Sequence, residues 1–196
     1  MTVRRIASAA LAASVLGSWH PALAGDTTVE FQIANDRQPD DLGVSKDMKY
    51  LVGLAHGFDN GVVLGGSFQY TDARAGKPDS QNLEATLGYR LRLGDVFSIN
   101  GSAGLGGRFT PLDDFAYYVL RVGADWELSK AITWNVVGYR YRNAFDTDND
   151  YDTPEVSTAL AFKIDAANSV TTTLYQGWKD GAKDETGIAL GFKHAF

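Results

Sequence analysis

The sequence lacks cysteine entirely and contains only three histidines among its 196 residues. Without cysteine, neither a disulfide framework nor a thiolate metal site can form, so burial and hydrogen bonding alone must stabilise the fold. A basic surface is missing as well, because 24 acidic residues outnumber 18 basic ones. This balance disfavours nucleic-acid binding, which requires a basic footprint. We therefore expect no nucleic-acid partner, and no motif that we find requires a cofactor.

A long apolar run is also missing. The best candidate, IASAALAASVLGSW at residues 6–19, is shorter than the ~20 residues that a transmembrane helix needs. Arg4 and Arg5 precede this run and Ala22-Leu23-Ala24 follows it, which is the pattern of a secretory signal peptide with its cleavage site. We therefore predict a signal peptide over residues 1–24 and a single exported domain over residues 25–196. An uncleaved anchor is the alternative.

The remaining chain is dominated by alternation of apolar and polar residues. In residues 154–165, for example, Val156 and Phe162 fall on one face, whereas Glu155 and Lys163 fall on the other. This period of two is typical of a β-strand with one apolar and one polar face. We predict ten such strands, at roughly 27–37, 47–58, 61–72, 81–93, 96–109, 115–128, 131–143, 154–165, 168–179 and 186–196.

The predicted strands are long and their connections differ in length. Most have 11 to 14 residues, whereas soluble strands average about five or six and tilted strands that cross a bilayer need about 9–11. Four connections are tight, and short turns opposite longer loops are typical of outer-membrane barrels. The five connections predicted to be longer and acidic are 38–46, 73–80, 110–114, 144–153 and 180–185.

These features predict an all-β fold, a membrane-spanning antiparallel up-and-down β-barrel of about ten strands, with eight or twelve as alternatives. An even number of strands closes the sheet and leaves no unpaired edge in the bilayer. The rival structure is a soluble lipocalin-like barrel, which would place its apolar side chains inside and its charges outside. The continuous apolar face and the opposite face of small and charged residues favour the membrane barrel.

The last predicted strand, TGIALGFKHAF at residues 186–196, resembles the carboxy-terminal signature of Gram-negative outer-membrane β-barrel proteins. The resemblance implies that Leu190, Phe192 and Phe196 form a signal for the outer-membrane barrel assembly machinery. It also implies export through the periplasm and a location in the outer membrane, among its lipid and lipopolysaccharide. His194 departs from the signature, which more often has a hydrophobic residue there.

The short loops and the charged interior also resemble those of the narrow oligosaccharide-permeable porins of the oligogalacturonate-specific type. That resemblance implies a small porin-like channel, although those porins have twelve strands and the pattern here gives ten.

The polar faces of the predicted strands place ionisable side chains inside the barrel. Arg140 and Arg142 face inward only if a bulge near Val136 shifts the alternation of the seventh strand. Basic residues exceed acidic ones in this interior, and a basic constriction favours anions. The candidates for the lumen and its constriction are Arg90, Arg92, Arg108, Arg121, Arg140, Arg142, Lys163, Glu84, Asp125 and Glu127.

Two interpretations of this interior remain open. One is a narrow, water-containing channel for small, anionic solutes. The other is a closed structural or surface-interaction barrel, because side chains nearly fill barrels of this size. In either case each charge must be paired or hydrated, since an unpaired charge in a dry interior costs several kcal/mol.

The histidines give little support for an enzyme. His56 and His194 are both predicted at the short-turn rim, on the lipid-facing side of their strands. Neither can reach the acidic loops at the opposite rim, so we expect no histidine-based catalytic site. A barrel enzyme is therefore the least favoured of the three interpretations.

Four aspartates, Asp146, Asp148, Asp150 and Asp152, alternate in one predicted loop. Alternating carboxylates can bind calcium, but an EF-hand loop needs glycine at its sixth position and glutamate at its twelfth. Counted from Asp146, those positions hold Tyr151 and Ser157. We therefore expect no metal site, and the tip is interpreted as an acidic surface that contacts cations loosely and bridges them to lipopolysaccharide.

Overall fold

A computed structural model describes residues 25–74, 78–149 and 151–196 of the chain. The predicted signal peptide, residues 1–24, and Asp150 of the acidic loop lie outside the described residues. Among the described residues, no helix is long and apolar enough to cross a membrane. Ten strands are present: β1 (Gly25–Gln38), β2 (Asp41–Phe58), β3 (Val62–Ala73), β4 (Ser80–Arg92), β5 (Phe97–Phe109), β6 (Asp114–Glu127), β7 (Ile132–Ala144), β8 (Glu155–Lys163), β9 (Asn168–Lys179) and β10 (Ala182–Ala195).

The ten strands form a closed antiparallel barrel in which each strand pairs with its neighbours in sequence. β1 and β10 close the ring, and Phe31 lies opposite both Val52 of β2 and Phe192 of β10. Closure removes the free sheet edges, so the ladder hydrogen bonds run around the whole barrel. The predicted fold class and the predicted strand count are both confirmed.

Alternation along each strand separates the two faces of the barrel as predicted. Large apolar side chains such as Phe31, Leu87 and Leu120 are exposed on the outside. Ionisable side chains such as Asp36 and Glu84 are buried inside. This arrangement contradicts the soluble lipocalin-like alternative, which requires the opposite distribution of apolar and charged groups.

The two ends of the barrel are named here by their connections. The turn end carries residues 59–61, 93–96, 128–131 and 164–167, and the loop end carries residues 39–40, 74–79, 110–113, 145–154 and 180–181.

The predicted contrast in connection length between the two ends is only partly correct. The predicted loops 38–46 and 180–185 are wrong, because the flanking strands continue to two-residue turns. In the second case Asp180 and Gly181 both have positive φ angles, 53° and 75°. Asp-Gly with two positive φ values is the type I′ turn that matches the twist of a hairpin. Only the connections 74–79 and 145–154 are longer than every connection at the turn end.

A β-bulge in β7 shifts the alternation of inward and outward side chains along that strand. Ala124 of β6 lies opposite Val137, and the next residue, Asp125, lies opposite Asn135, so Val136 has no partner on β6. One extra residue reverses which side chains face inward beyond that point. The bulge predicted near Val136 is therefore confirmed.

Candidate functional site

The interior of the barrel is packed in its loop half and open in its turn half. Buried inward side chains such as Asp36, Asn82, Glu84 and Tyr117 all lie on the loop-end halves of their strands. We call the band of ionised groups at this level the charged layer. It consists of Glu84, Arg121, Arg142, Arg140, Glu155, Glu185, Lys49 and Asp36.

Glu84 is the centre of the basic side of the charged layer. Its side chain is only 2% exposed and pairs with Arg142 at 2.5 Å and with Arg121. The hydroxyl of Tyr117 donates a further hydrogen bond of 2.9 Å to the same carboxylate. One carboxylate thus faces two guanidinium groups, which leaves this side with a net positive charge.

The acidic side of the charged layer has the opposite composition. The Lys49 ammonium lies 2.5 Å from the Asp36 carboxylate and 2.7 Å from Glu185. Asp36 is fully buried, and the Tyr175 hydroxyl donates to it. Asp47, also buried, lies close enough to share a cation with Asp36 and Glu185. Because the Lys49 ammonium already contacts two of these carboxylates, it occupies the place that a bound cation would take.

Arg140 and Glu155 connect the two sides. Arg140 lies directly opposite Arg121 across β6 and β7, a like-charge pair that is unfavourable unless each member is neutralised. Glu84 pairs with Arg121, and Glu155 pairs with Arg140 at 2.6 Å. The cross-strand arginines are therefore held by carboxylates from two other strands, which ties four strands together within the layer.

Two tyrosine–glycine pairs support the carboxylates. Tyr117 lies opposite Gly106 on β5, and Tyr175 lies opposite Gly187 on β10. A Cβ atom at either glycine would come closer than 3.0 Å to the tyrosine ring. Each ring therefore lies flat against a neighbouring strand, which positions its hydroxyl toward the buried acid.

The opening of the barrel interior at the loop end, which we call the mouth, is narrowed by an aromatic side chain from the connection 145–154. The Tyr151 ring contacts Phe115 and Tyr117, with centroid distances of 4.9 and 5.3 Å. The Arg108 guanidinium lies 5.5 Å from the Tyr151 ring centroid. Tyr151 therefore packs inward over β5 and β6, whereas residues 145–148 at the start of the same connection are exposed.

The turn half of the interior carries exposed charges, including three basic groups that have no ion pair among the described residues. We call Arg90, Arg92 and Lys163 the basic vestibule, because all three face inward, are exposed and have no ion pair within the described part of the chain. Asp125 accepts hydrogen bonds from Asn100 and Asn135 at 2.9 and 2.8 Å.

Most of the predicted lumen residues thus face the interior, but they form two distinct groups. Glu84, Arg121, Arg140 and Arg142 come together in the charged layer, and Arg108 lies above them at the mouth. Arg90, Arg92, Lys163, Asp125 and Glu127 lie apart from them, toward the turn end.

Sequence reasoning missed three interior residues, Asp47, Tyr175 and Glu185. Glu185 was assigned to a loop, although Asp180-Gly181 signals a tight turn that starts β10 earlier. Because Asp47 and Glu185 are acidic, the excess of positive charge inside the barrel is smaller than expected.

The histidines lie where they were predicted. His56 Nδ1 is 2.9 Å from the Thr27 hydroxyl oxygen, and His194 Nδ1 is 2.9 Å from Asn168 Oδ1. Both residues flank β1 near the turn end, on its outward face. Leu190, Phe192 and Phe196 of the predicted assembly signal are also exposed on the outside.

The acidic tip shows local hydrogen bonding. Asp146 Oδ1 accepts the backbone N–H of Asp148 at 3.0 Å. Of the described residues, the carboxylates close enough to share a metal ion are those around Lys49, and the tip is not among them.

Known structures share this fold. The β domain of the Bordetella autotransporter BrkA matches with a TM-score of 0.54 at 8% identity, covering 87% of this chain and 99% of the other. An outer-membrane channel from Pseudomonas putida F1 gives 0.52 at 9% identity, covering 92% and 98%. The KdgM porin gives 0.47 at 16% identity, covering 86% and 99%. No family model and no curated protein matches the chain. The chain therefore has the fold of bacterial outer-membrane β-barrels, and the predicted resemblance is confirmed at that level.

Proposed function

We propose that the protein spans the bacterial outer membrane, with its loop end outside, as a narrow channel for small solutes that favours anions. The observation that carries this proposal is the separation of the two faces. The exposed outer surface is a band of large apolar side chains, whereas ionised groups line the interior from the vestibule to the mouth. A bilayer matches the first surface and water or ions match the second.

The basic vestibule supports a preference for anions. Arg90, Arg92 and Lys163 are exposed and form no ion pair within the described chain, so we expect them to raise the local concentration of anions at the turn end. Arg121 belongs to the charged layer but is accessible from the vestibule, because its side chain is 32% exposed although it pairs with Glu84. The charged layer is then the constriction of the channel. The Pseudomonas putida neighbour is itself a channel, which agrees with the proposal.

A second function is favoured by the density of the charged layer. Asp36 and Glu84 are almost completely buried, and Tyr151 covers part of the mouth. A barrel closed at this level would have a structural or surface-interaction role and would carry no current. We propose no enzymatic function, because His56 and His194 lie near the turn end, away from the acidic residues of the loop end.

Planar-bilayer recordings on the folded, purified protein separate the two functions. A channel gives steady unitary currents whose reversal potential in a salt gradient indicates anion preference, and the triple exchange of Arg90, Arg92 and Arg121 for glutamine reduces that preference. Arg37→Gln is the matched control, because Arg37 lies on the outward face of β1 and its side chain hydrogen-bonds the carbonyls of Leu42 and Gly43 rather than an interior group. Silence from protein that is demonstrably folded and inserted contradicts the channel and supports the closed barrel.

Assembly by the outer-membrane machinery is the remaining part of the proposal. Phe196 is 77% exposed and continues the outward row of Leu190 and Phe192. Deletion of Phe196 should lower the amount of folded barrel in outer-membrane fractions, whereas exchange of the inward Lys193 for glutamine should not. Equal amounts of folded barrel from the deletion variant and the wild type would remove the assembly role.

A further inference from the structure

Two hydrogen-bond donors inside the charged layer have no acceptor among the described residues. They are the Nε–H groups of Arg140 and Arg142, and both nitrogen atoms are buried. Arg142 as a whole is only 5% exposed. A buried donor without an acceptor is costly, and more so when the group is charged. These two donors therefore indicate a ligand that the chain itself does not supply.

The carboxylates of the charged layer bind the ends of the two guanidinium groups and not their Nε atoms. Glu155 Oε2 accepts a hydrogen bond from Arg140 Nη2 at 2.6 Å. Glu84 Oε1 lies 2.5 Å from Arg142 Nη2, and the other oxygen of Glu84 accepts from Arg121. A carboxylate can bind a guanidinium through two parallel hydrogen bonds, but the nearest contact in both of these pairs is to a terminal nitrogen. The two Nε–H groups are therefore left for another acceptor.

The two donors belong to neighbouring inward positions of one strand. Arg140 and Arg142 are two residues apart on β7, beyond the bulge that turns them both inward. Residues i and i+2 of a strand point to the same face and lie roughly 6.6 Å apart. One small anion between the two side chains can therefore accept from both Nε–H groups.

The charge around these donors also favours an anion. The guanidinium groups of Arg121, Arg140 and Arg142 face the carboxylates of Glu84 and Glu155, which leaves one positive charge in excess. A water molecule could accept from both donors, but it would leave that excess charge uncompensated in a buried site. An anion with a single negative charge removes the excess and satisfies the donors together.

The surroundings limit the charge and the size of the anion. On the acidic side of the charged layer, the carboxylates of Asp36 and Glu185 share one ammonium group, that of Lys49. This side repels an anion with two or more charges more strongly than an anion with one. Arg142 lies opposite Val119, and because both residues are buried, only a small ion fits between the strands and the opposite wall.

We propose that the charged layer binds one small monovalent anion, of the size and charge of chloride, through the Nε–H groups of Arg140 and Arg142. The inference deepens the proposed function and rests on it for a role in transport, because the ion lies in the constriction of the channel. The bound anion completes the hydrogen bonding of the basic side and exchanges with anions that arrive from the basic vestibule.

The test uses the folded protein in detergent, with chloride and bromide as the probes. We expect crystals grown in sodium bromide to show one anomalous peak within hydrogen-bond distance of both Nε atoms. We also expect the folded protein to broaden the chloride NMR line, and added bromide to reverse the broadening. The broadening should fall by about fivefold or more in Arg140→Lys and in Arg142→Lys, which keep the positive charge but lose the Nε–H donor.

The matched control is Arg37→Lys. Arg37 lies on the outward face of β1 and donates to the carbonyls of Leu42 and Gly43, so this variant should broaden the chloride line as the wild type does. Three outcomes overturn the inference: no bromide peak at the two Nε atoms, equal broadening by the wild type and both β7 lysine variants, or displacement of chloride by sulfate as readily as by bromide. If a lysine variant does not fold, the bromide peak in the wild type still decides.

Planar-bilayer recordings separate failure of this inference from failure of the proposed function. Unitary currents from a protein that binds no halide would show that only the anion site is wrong. Halide binding by a folded, inserted protein that carries no current would support the anion site and contradict the channel.

Discussion

The two halves of the barrel interior solve the same electrostatic problem in different ways. In the loop half, Glu84, Arg142 and Asp36 are buried, and each has at least one partner of opposite charge. In the turn half, Arg90 and Arg92 are exposed and form no ion pair with any described residue. Close ion pairs hold the buried charges of the loop half, whereas in the turn half the partly exposed Lys193 and Glu30 are 3.8 Å apart and the exposed Arg90 and Arg92 have no ion pair among the described residues. This agreement with the cost of an isolated buried ion shows that the interior is organised by solvation.

The contrast also separates stability from selectivity. The buried residues of the charged layer hold several strands together, so their removal should act mainly on folding, whereas Arg121 is 32% exposed and should also affect the solutes that enter. Residues of the basic vestibule contact water and few protein groups, so their removal should act mainly on the solutes that enter. The following predictions test this division.

The largest expected effect follows from Glu84→Gln. The change leaves Arg121 and Arg142 without their shared carboxylate in a buried site, which costs roughly 3–5 kcal/mol in the free energy of unfolding. The matched change in the turn half is Glu127→Gln, at an exposed position, with an expected effect within about 0.5 kcal/mol. Urea unfolding of the barrel in phospholipid vesicles, followed by tryptophan fluorescence, measures both values.

A double-variant cycle sharpens this result. If Glu84 and Arg142 interact as described, the variant with both residues exchanged for glutamine is less destabilised than the sum of the single changes. Additive losses, or similar losses for Glu84→Gln and Glu127→Gln, would contradict the division between the halves.

An intermediate effect is expected from Gly106→Ala. The new methyl group would collide with the Tyr117 ring and displace its hydroxyl from Glu84, at a cost of about 1–3 kcal/mol. Gly101→Ala on the same strand is the control, because its nearest neighbour would be the Arg121 carbonyl oxygen at 3.8 Å. Alanine restricts the unfolded chain more than glycine does, so the control should be neutral or slightly stabilised.

The free energies of unfolding of the two glycine variants are measured by urea unfolding in the same type of vesicle and compared. Equal stability of both variants would mean that the Tyr117 ring moves freely, and the account of the tyrosine–glycine pairs would be wrong.

The fold could be predicted from the sequence because it depends on a local pattern. Alternation assigns each residue to a face, and a break in alternation located the bulge at Val136. The strand ends at 180–185 could not be found from alternation, because charged residues flank a turn whose signal is the Asp180-Gly181 dipeptide.

The site was only partly predictable for a different reason. The alternation of side chains along each strand identified Arg121, Arg140 and Glu84 as inward residues. It does not give their height along the barrel axis. Height decides which inward charges meet, and it depends on the stagger of strands around the closed barrel. The division into a charged layer and a basic vestibule therefore required the three-dimensional register.

The smallest expected effect concerns the turn between β8 and β9, outside the packed interior. The Asn168 side chain and the backbone N–H groups of Ala167 and Asn168 donate to the Asp165 carboxylate, which lowers its pKa below the usual value. A lowered pKa in the folded state contributes stability that is present above the unfolded pKa of about 3.9 and is lost as the pH falls through the folded pKa. Asp165→Asn should therefore remove part of the fall in unfolding free energy below about pH 4, as measured by urea unfolding between pH 3 and 7.

The control is Asp95→Asn, in another turn at the same end. Asp95 has no such hydrogen bonds in the described chain, so this change should leave the shape of the pH curve unchanged. Curves of identical shape for Asp165→Asn and the wild type would show that these hydrogen bonds do not persist in solution.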